Sequence, residues 1–169
     1  MAVVQKKICL LGDFAVGKTS LIRRFVEGRF DDKYLSTIGV KISRKTIEHK
    51  NNTLNLLVWD LAGGEDFSKM GATYLRGAVG ALIVCDLTRP DTLAAWVFYA
   101  KQMRAINPNA LLVFAANKAD LEDERRIEEA DLIASSEALG GSYLLTSAKT
   151  GDGVEDAFNA FTSLIEAQE

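Results

Sequence analysis

The residues with the clearest chemistry form the pattern Gly12-x-x-x-x-Gly17-Lys18-Thr19. An apolar run at 8–11 precedes the pattern and a segment with helical spacing follows it, which is the context that a phosphate-binding loop requires. Glycines let successive N–H groups face an anion, and the start of the helix adds its positive dipole end. Lys18 supplies a mobile positive charge, and the Thr19 hydroxyl is a ligand for Mg²⁺. An ordinary turn before an amphipathic helix is the alternative, but the complete context favours a site for the phosphates of a nucleoside triphosphate.

A second polar group, Asn117-Lys118-x-Asp120, directly follows the apolar run 111–116. If that run is a parallel strand, the group lies at the carboxyl edge of a sheet, where open α/β sheets bind ligands. The Asp120 carboxylate would accept hydrogen bonds from N1–H and the 2-amino group of guanine. Adenine does not present this pair of donors and would leave the carboxylate desolvated and unpaired. Taken alone, the tetrapeptide also fits a polar loop without a ligand.

The tetrapeptide Thr146-Ser147-Ala148-Lys149 follows the next short strand pattern, at 142–145. It favours the guanine interpretation, because a backbone N–H near Ala148 would meet the guanine carbonyl oxygen. Lys149 would pack close to the base.

Strand and helix patterns alternate around these groups. Extended runs lie at 8–11, 39–48, 53–60, 79–85, 111–116 and 142–145, and helical spacing at 21–28, 91–106, 127–139 and 154–165. Lys50-Asn51-Asn52 predicts a hairpin turn between two antiparallel strands, and Asp91 is predicted to cap a helix. The alternation predicts an α/β fold with a mostly parallel sheet and helices on both faces.

The composition limits the possible functions. A chain of 169 residues fits one domain spanning 1–169, and 48% hydrophobic with 25% charged residues is ordinary for a globular protein. The net charge of −3, without a concentrated basic face, argues against nucleic acid as a ligand. Cys9 and Cys85 are interpreted as buried strand residues in a reducing cytosol, with a disulfide or metal pair as the alternative. His49 is the only histidine, so no His-based triad is predicted.

We expect a cytoplasmic monomer without a lipid anchor. No apolar run approaches the roughly 18 residues that cross a bilayer, and the start of the chain does not resemble a signal peptide. Position 2 is not glycine and the last residues contain no cysteine, so neither myristoylation nor prenylation is indicated. The missing anchor is either natural or the result of truncation.

Taken together, the motifs resemble the Ras superfamily of small GTPases over nearly all of residues 5–167. The residues that carry the resemblance are the phosphate loop, Thr37, Asp60-x-x-Gly63, Asn117-Lys118-x-Asp120 and Ser147-Ala148-Lys149. Rab-like features are Thr37-Ile38-Gly39-Val40, Trp59-Asp60 and Leu75-Arg76-Gly77-Ala78. The resemblance implies a P-loop NTPase fold with a six-stranded sheet in which one strand is antiparallel. It further implies a molecular switch that binds GTP or GDP with Mg²⁺ and hydrolyses GTP to GDP and phosphate. Its expected partners are effectors, an exchange factor and an activating protein.

Two segments resemble the mobile switches of that family, at 30–40 and 60–76. Phe30 matches the aromatic residue that packs edge-on against guanine, although it also fits a core position at a helix end. Thr37 matches the threonine that binds Mg²⁺ and the γ-phosphate, and Tyr34 the residue that closes over the phosphates. Asp60 is expected to reach Mg²⁺ through water, and the Gly63 N–H to contact the γ-phosphate.

The chain departs from the family pattern at Gly64, where members usually carry glutamine. That glutamine orients the attacking water. Glycine has no side chain, so intrinsic hydrolysis is expected to be slow. Glu65 is a possible substitute, but it would bring negative charge close to the phosphates.

Further departures are Phe14 and Ala15 in the phosphate loop and Ile42 in the second extended run. The Phe14 ring would obstruct an arginine from an activating protein, or cover the space that Gly64 leaves, near Phe67, and the two roles are compatible. Ile42 replaces a phenylalanine that belongs to an aromatic patch with Trp59, which is either half-buried effector surface or core.

A further aromatic group lies in the helix 91–106. Trp96 and Tyr99 are expected in the core, and Phe98 is expected exposed beside the second switch.

The predicted site residues fall into overlapping sets. Those expected to hold the nucleotide are Ala15, Val16, Gly17, Lys18, Thr19, Ser20, Phe30, Tyr34, Thr37, Gly63, Asn117, Lys118, Asp120, Ser147, Ala148 and Lys149. Those expected to hold the metal are Thr19, Thr37 and Asp60, and those expected to support hydrolysis are Lys18, Thr37, Gly63 and Gly64.

Overall fold

The computed structural model describes residues 2–28, 40–49, 52–63 and 65–168. Its strands are β1 (Ala2–Leu11), β2 (Val40–His49), β3 (Asn52–Leu61), β4 (Ala78–Asp86), β5 (Leu111–Asn117) and β6 (Ser142–Leu145). Its helices are α1 (Lys18–Glu27), α2 (Glu65–Tyr74), α3 (Pro90–Ala94), α4 (Trp96–Ile106), α5 (Glu129–Ala138) and α6 (Val154–Gln168). A short 3₁₀ helix spans Glu122–Glu124.

The described strands form one six-stranded sheet in the order β2-β3-β1-β4-β5-β6. Neighbouring strands run parallel except β2 and β3, which pair antiparallel from Val40 opposite Leu61 to His49 opposite Asn52. Lys50 and Asn51 of the predicted hairpin turn lie outside the described residues. The predicted fold class is confirmed: a mostly parallel sheet of six strands with one antiparallel strand.

Strand β4 and the end of β1, residues 8–11, are apolar on both faces. Cys9 and Ile83 belong to a core cluster shared with α2, α4 and α5, whereas Ile8 and Leu82 belong to a second cluster shared with α1 and α6. Because successive side chains of a strand point to opposite faces, helices cover both sides of the sheet. This double burial explains why these parts of the sheet are nearly continuous apolar runs. Among the described residues, no helix combines the length and the apolar character needed to cross a bilayer.

Both cysteines are buried strand residues with free thiols, as predicted. Burial raises the pKa of Cys9 and the pKa of Cys85 to about 12 each. Neither is therefore a thiolate at neutral pH, which makes both unreactive.

The predicted helix 91–106 is wrong in two respects. It is divided, because α3 ends at Ala94 and α4 begins at Trp96. Asp91 lies inside the first turn of α3 and does not cap it, since Arg89 holds the N-cap position and Pro90 comes next. Proline is favoured at the first helical position because its fixed φ suits the helix and its missing N–H would have no helical partner there.

The first strand is longer than the apolar run 8–11 suggests. It begins at Ala2, which pairs with Asn52 of β3. This first part of the strand contains polar residues such as Lys7, so a search for apolar runs does not detect it.

Gly80 provides a test of the sheet packing. It lies opposite Leu111 of β5, and a Cβ built on it would stand 2.1 Å from the Leu111 carbonyl oxygen. Since neither backbone can move without disturbing the ladder, we expect Gly80→Ala to lower the free energy of unfolding by about 3 kcal/mol or more, as measured by urea denaturation.

Gly77→Ala is the matched control. A Cβ there meets nothing within 4 Å, but φ is +82°, so the cost should be only the roughly 1–2 kcal/mol of a left-handed residue. Equal losses in the two variants would contradict the packing argument.

Candidate functional site

The predicted site groups lie where parallel strands end at one edge of the sheet. Gly12 follows β1, Gly63 lies just beyond β3, and Thr146 follows β6, while Asp86 and Asn117 are the last residues of β4 and β5. Parallel strands bring their carboxyl ends together. Groups that are far apart in the sequence therefore meet in one cleft.

The loop 12–17 between β1 and α1 has a tightly curved backbone. Ala15 and Gly17 have positive φ values of 63° and 100°. A side chain at Gly17 would collide with Asn117, since a Cβ would stand 2.4 Å from its Nδ2. Helix α1 begins at Lys18, so the N–H groups of its first turn, which have no partner within the helix, open towards the loop.

Three successive carbonyls of this loop accept hydrogen bonds from residues at the ends of β4 and β5. The pairs are Arg89 Nη2 to Phe14 O at 2.8 Å, Lys118 Nζ to Ala15 O at 3.2 Å and Asn117 Nδ2 to Val16 O at 3.0 Å. In a trans peptide the next N–H points away from the carbonyl. The N–H groups of Ala15, Val16 and Gly17 therefore face the opposite, concave side. Such a row of N–H groups is an anion-binding arrangement.

Lys18 is buried beside the loop. Its Nζ donates to Gly12 O at 2.9 Å and to Asp13 O at 3.2 Å. Burial lowers the pKa of Lys18 to about 8, although Asp60 and Asp13 oppose the decrease by attraction. An ammonium group held in this way is stabilised further by any anion that enters the loop, which suits the predicted contact with phosphates.

Thr19 and Asp60 form a pair at the same end of the cleft. Thr19 Oγ1 donates to Asp60 Oδ2 at 2.7 Å, and the Asp60 side chain is 0% exposed. Hydroxyl and carboxylate oxygens are the ligands that Mg²⁺ prefers. The residues present thus fit a magnesium ion, which would leave further positions to phosphate oxygens and water.

The segment after β3 lies directly against the phosphate loop. A Cβ built on Gly63 would stand 2.2 Å from Gly12 O and 3.0 Å from the backbone nitrogen of Phe14. Only glycine permits so close an approach. The segment 60–76 therefore begins in contact with the loop that is predicted to hold the phosphates.

Asn117 connects the phosphate loop to the loop after β6. Besides its bond to Val16 O, it accepts a hydrogen bond from Thr146 Oγ1 at 3.1 Å, and both side chains are buried. Asp120 Oδ1 accepts a hydrogen bond from Ser147 Oγ at 2.7 Å. This bond fixes the carboxylate that the sequence assigns to guanine.

Comparison with known proteins agrees with this arrangement. The Ras family model matches residues 7–167. The human Ras-related protein Rab-22A is 36% identical over 159 residues, which cover 94% of this chain and 82% of that protein. The human Ras-related protein Rab-31 is 37% identical over 169 residues, which cover 98% of this chain and 85% of that protein. The Ras-related protein Rab5 of Nicotiana tabacum is 41% identical over 155 residues, which cover 90% and 76%.

This chain belongs to the Ras family. Its relatives are Rab proteins, so the Rab-like resemblance in the sequence is confirmed. Members of this family are GTP-binding molecular switches with GTPase activity. They bind guanine nucleotides and Mg²⁺ and act through regulators and effectors.

Sequence reasoning missed Asp86, a buried carboxylate beside the predicted site residues. It is 1% exposed, and its Oδ2 lies 2.8 Å from Lys118 Nζ and 3.0 Å from Arg89 Nε. Burial would raise the pKa of Asp86, but hydrogen bonds from Lys118 and Thr88 outweigh that effect and hold the pKa below its usual value. The available signal was a carboxylate at the end of an otherwise apolar buried strand.

Lys118 is held both by its backbone and by its side chain. Its φ is +69°, and this left-handed conformation is costly for a lysine. The ion pair with Asp86 and the bond to Ala15 O fix its stem beside the phosphate loop. Ser147 and Ala148 are buried, and Lys149 is exposed.

Some predicted residues cannot be placed. Phe30, Tyr34, Thr37 and Gly64 lie outside the described residues. Ser20 lies on α1 and is partly buried.

The aromatic residues divide between core and surface. Trp96 and Tyr99 are core residues, as predicted. Phe67 of α2 is also buried, with its ring centroid 6.0 Å from Phe98 and 5.1 Å from Tyr99. Phe98 itself is 41% exposed. Because its ring lies next to Phe67 of α2, it is beside the segment 60–76, as predicted. Phe14 is 61% exposed on the phosphate loop.

Trp59 is neither fully exposed nor fully buried. It is half-buried against the core cluster, and the ring has Lys7 Nζ 3.6 Å from its centroid. The same ammonium donates to Tyr74 O at 2.6 Å and to Arg76 O at 2.8 Å. Lys7 thereby anchors the end of α2 to the sheet beside Trp59.

The lowered pKa of Lys18 predicts how nucleotide binding depends on pH. In the free protein the side chain loses its proton near pH 8, and bound phosphates raise the pKa because they favour the charged form. Binding above pH 8 should therefore take up about one proton, and affinity should fall as the pH rises. Below pH 8 Lys18 is already charged, so both effects should disappear.

Titration calorimetry of GDP binding in two buffers with different ionisation enthalpies measures the proton uptake. The phosphates of GDP are fully ionised above pH 8, given a second pKa near 6 for phosphate monoesters, so they do not contribute. No uptake at pH 9 would show that the Lys18 ammonium keeps its proton in the free protein.

Proposed function

We propose that this chain is a guanine-nucleotide switch whose unaided hydrolysis of GTP is slow. The observation that carries the guanine assignment is the Asp120 carboxylate, which Ser147 holds at 2.7 Å. It follows the strand whose last residue, Asn117, is bonded to the phosphate loop. A carboxylate oriented in this way accepts the two donors of guanine and rejects adenine.

The phosphates would lie in the concave loop 12–17. The N–H groups of Ala15, Val16 and Gly17 and the ammonium of Lys18 supply the positive potential there. Thr19 and Asp60 would hold Mg²⁺, with Thr37 as the third predicted side chain. Bound Mg²⁺ supplies charge neutralisation at the phosphates. These roles extend the family assignment to particular residues of this chain.

Slow hydrolysis follows from Gly64. The family glutamine orients the attacking water, and glycine has no side chain that can do so. Lys18 and Gly63 would still stabilise charge on the phosphates. A helper protein that accelerates the reaction must therefore supply the orienting group itself.

The contact surface for effectors would comprise the segments 30–40 and 60–76. Three observations support this part of the proposal. Gly63 begins the second segment against the phosphate loop. Its end at Tyr74 is anchored by Lys7. Ile42 is 52% exposed on β2, opposite Trp59. A change at the phosphates would thus act on a segment held firmly at its far end.

Asp120→Asn tests the base assignment. The amide replaces an acceptor with a donor opposite guanine N1–H, so GTP affinity should fall by about 100-fold or more, since a buried polar group loses its partner. Xanthosine triphosphate, which carries a carbonyl where guanine has an amino group, should bind the variant better than GTP does. Competition against a fluorescent nucleotide measures both affinities.

Asp123→Asn is the matched control, because Asp123 is exposed on the nearby 3₁₀ helix. It should bind GTP like the unmodified chain. Unchanged GTP affinity in Asp120→Asn would refute the guanine assignment.

Gly64→Gln tests the explanation for slow turnover. Restoring one hydrogen bond to the attacking water should accelerate single-turnover hydrolysis of bound GTP by about tenfold, equivalent to about 1.4 kcal/mol. Gly64→Ala is the control, since it adds a side chain without an amide and should not accelerate the reaction. An unchanged rate in Gly64→Gln would show that another feature limits hydrolysis.

A persistently GTP-bound interaction module is the second candidate, favoured by the missing side chain at Gly64 and the exposed ring of Phe14 beside the loop. The two functions separate in the same assay. Complete absence of GDP from the unmodified chain, alone and with cell extract, would favour the module over the switch.

A further inference from the structure

The side chain of Arg89 binds the phosphate loop and makes no capping bond to its own helix. Arg89 is the N-cap residue of α3, yet it makes no side-chain capping bond. Its Nη2 instead donates to Phe14 O at 2.8 Å, and its Nε lies 3.0 Å from Asp86 Oδ2. The planar guanidinium thus connects Asp86, at the end of β4, to Phe14 in the loop by two differently directed N–H groups.

Asp86 holds the donors for two neighbouring loop carbonyls. Its Oδ2 is shared by Arg89, which reaches Phe14 O, and by Lys118, which reaches Ala15 O. Its Oδ1 accepts from Thr88 N at 2.8 Å and Thr88 Oγ1 at 2.7 Å. Both oxygens of this buried carboxylate are therefore used.

The preceding loop residue is anchored from a different helix. Tyr99 of α4 donates from its hydroxyl to Asp13 Oδ1 at 2.9 Å. The loop is consequently held from α4 through the Asp13 side chain and from Arg89 through the Phe14 carbonyl. With its carbonyl fixed, Phe14 presents its ring to solvent, where it is 61% exposed.

We propose that Asp86 and Arg89 are positioning residues that keep the loop in its phosphate-binding form. Holding Phe14 O outward turns the N–H of Ala15 into the concave side, where a β-phosphate would accept it. Pre-orientation removes part of the ordering cost of binding. Lys118 and Asn117 hold the carbonyls of Ala15 and Val16. Arg89 extends this row by one residue, to the carbonyl of Phe14. This inference rests on the proposed binding of the nucleotide phosphates by this loop.

The test compares GDP with GMP, since the two nucleotides differ only in the β-phosphate. Competition against a fluorescent GDP analogue gives both dissociation constants for the whole chain. Arg89→Ala should weaken GDP binding about tenfold and change GMP binding by less than about twofold, as expected for loss of one charge-assisted contact. The ratio of the GMP dissociation constant to the GDP dissociation constant should therefore fall about tenfold.

Asp86→Asn should weaken the binding of both GDP and GMP. It releases Arg89 and also Lys118, which belongs to the base side of the site. If Arg89→Ala does not fold, Arg89→Gln takes its place, because it keeps much of the length of the side chain without its charge. Arg89→Lys should be intermediate, since a single ammonium cannot make both contacts in the fixed geometry of a guanidinium.

Arg104→Ala is the matched control. Arg104 also donates from a guanidinium to a backbone carbonyl, that of Leu139, but it belongs to the carboxyl end of α4. Loss of a purely structural arginine would lower the free energy of unfolding and leave the GMP-to-GDP ratio unchanged. The same unchanged ratio in the Arg89 variants would overturn the inference. Failure of the unmodified chain to bind GDP at all would instead refute the proposed function.

Discussion

The row of hydrogen bonds to the carbonyls of Phe14, Ala15 and Val16 is the constraint on which the rest of the site depends. Its donors come from the ends of β4 and β5, and one of them, Asn117, also accepts a bond from Thr146. The loop for the phosphates and the loops for the base are therefore parts of one hydrogen-bonded unit. The groups that would bind the phosphates and the groups that would bind the base therefore fix each other's positions. Such pre-orientation limits the ordering that binding must accomplish.

The same unit concentrates buried charge at one edge of the sheet. Lys18, Asp60 and Asp86 are all buried, and taking ions out of water is costly unless they are paired and hydrogen-bonded. Asp86 is compensated within the protein by Lys118 and Arg89. Lys18 is compensated less well, as its lowered pKa shows. A phosphate bound as proposed would supply the missing negative charge, so nucleotide binding should stabilise the fold as well as fill the site.

The sequence predicted the parts of this unit that depend on local chemistry. Gly17, Lys18 and Asn117 are recognisable because a phosphate loop and a base-reading loop need those residue types at fixed spacing, directly after strands. The alternation of runs likewise predicted the sheet. Arg89 was missed because its importance comes from a contact with Phe14, and Asp86 because its importance comes from a contact with Lys118, and both contacts join residues that are far apart in the sequence. The break at Ala95 was missed because its backbone stays close to helical, with φ −69° and ψ −16°, so the periodicity of the side chains continues through it.

Binding and hydrolysis make different demands on these residues, and this difference explains why departures from the family pattern can coexist with an intact site. Binding uses backbone N–H groups and buried side chains, whose positions are fixed by the carbonyl row and by close contacts such as that between Gly63 and Gly12. A change of side chain at an outward-facing position such as Phe14 leaves those groups in place. Hydrolysis additionally needs one side chain that reaches a water molecule, and no backbone arrangement replaces it. On the proposed mechanism, glycine at position 64 would therefore affect turnover selectively, while recognition of the nucleotide would depend on contacts that the substitution does not remove.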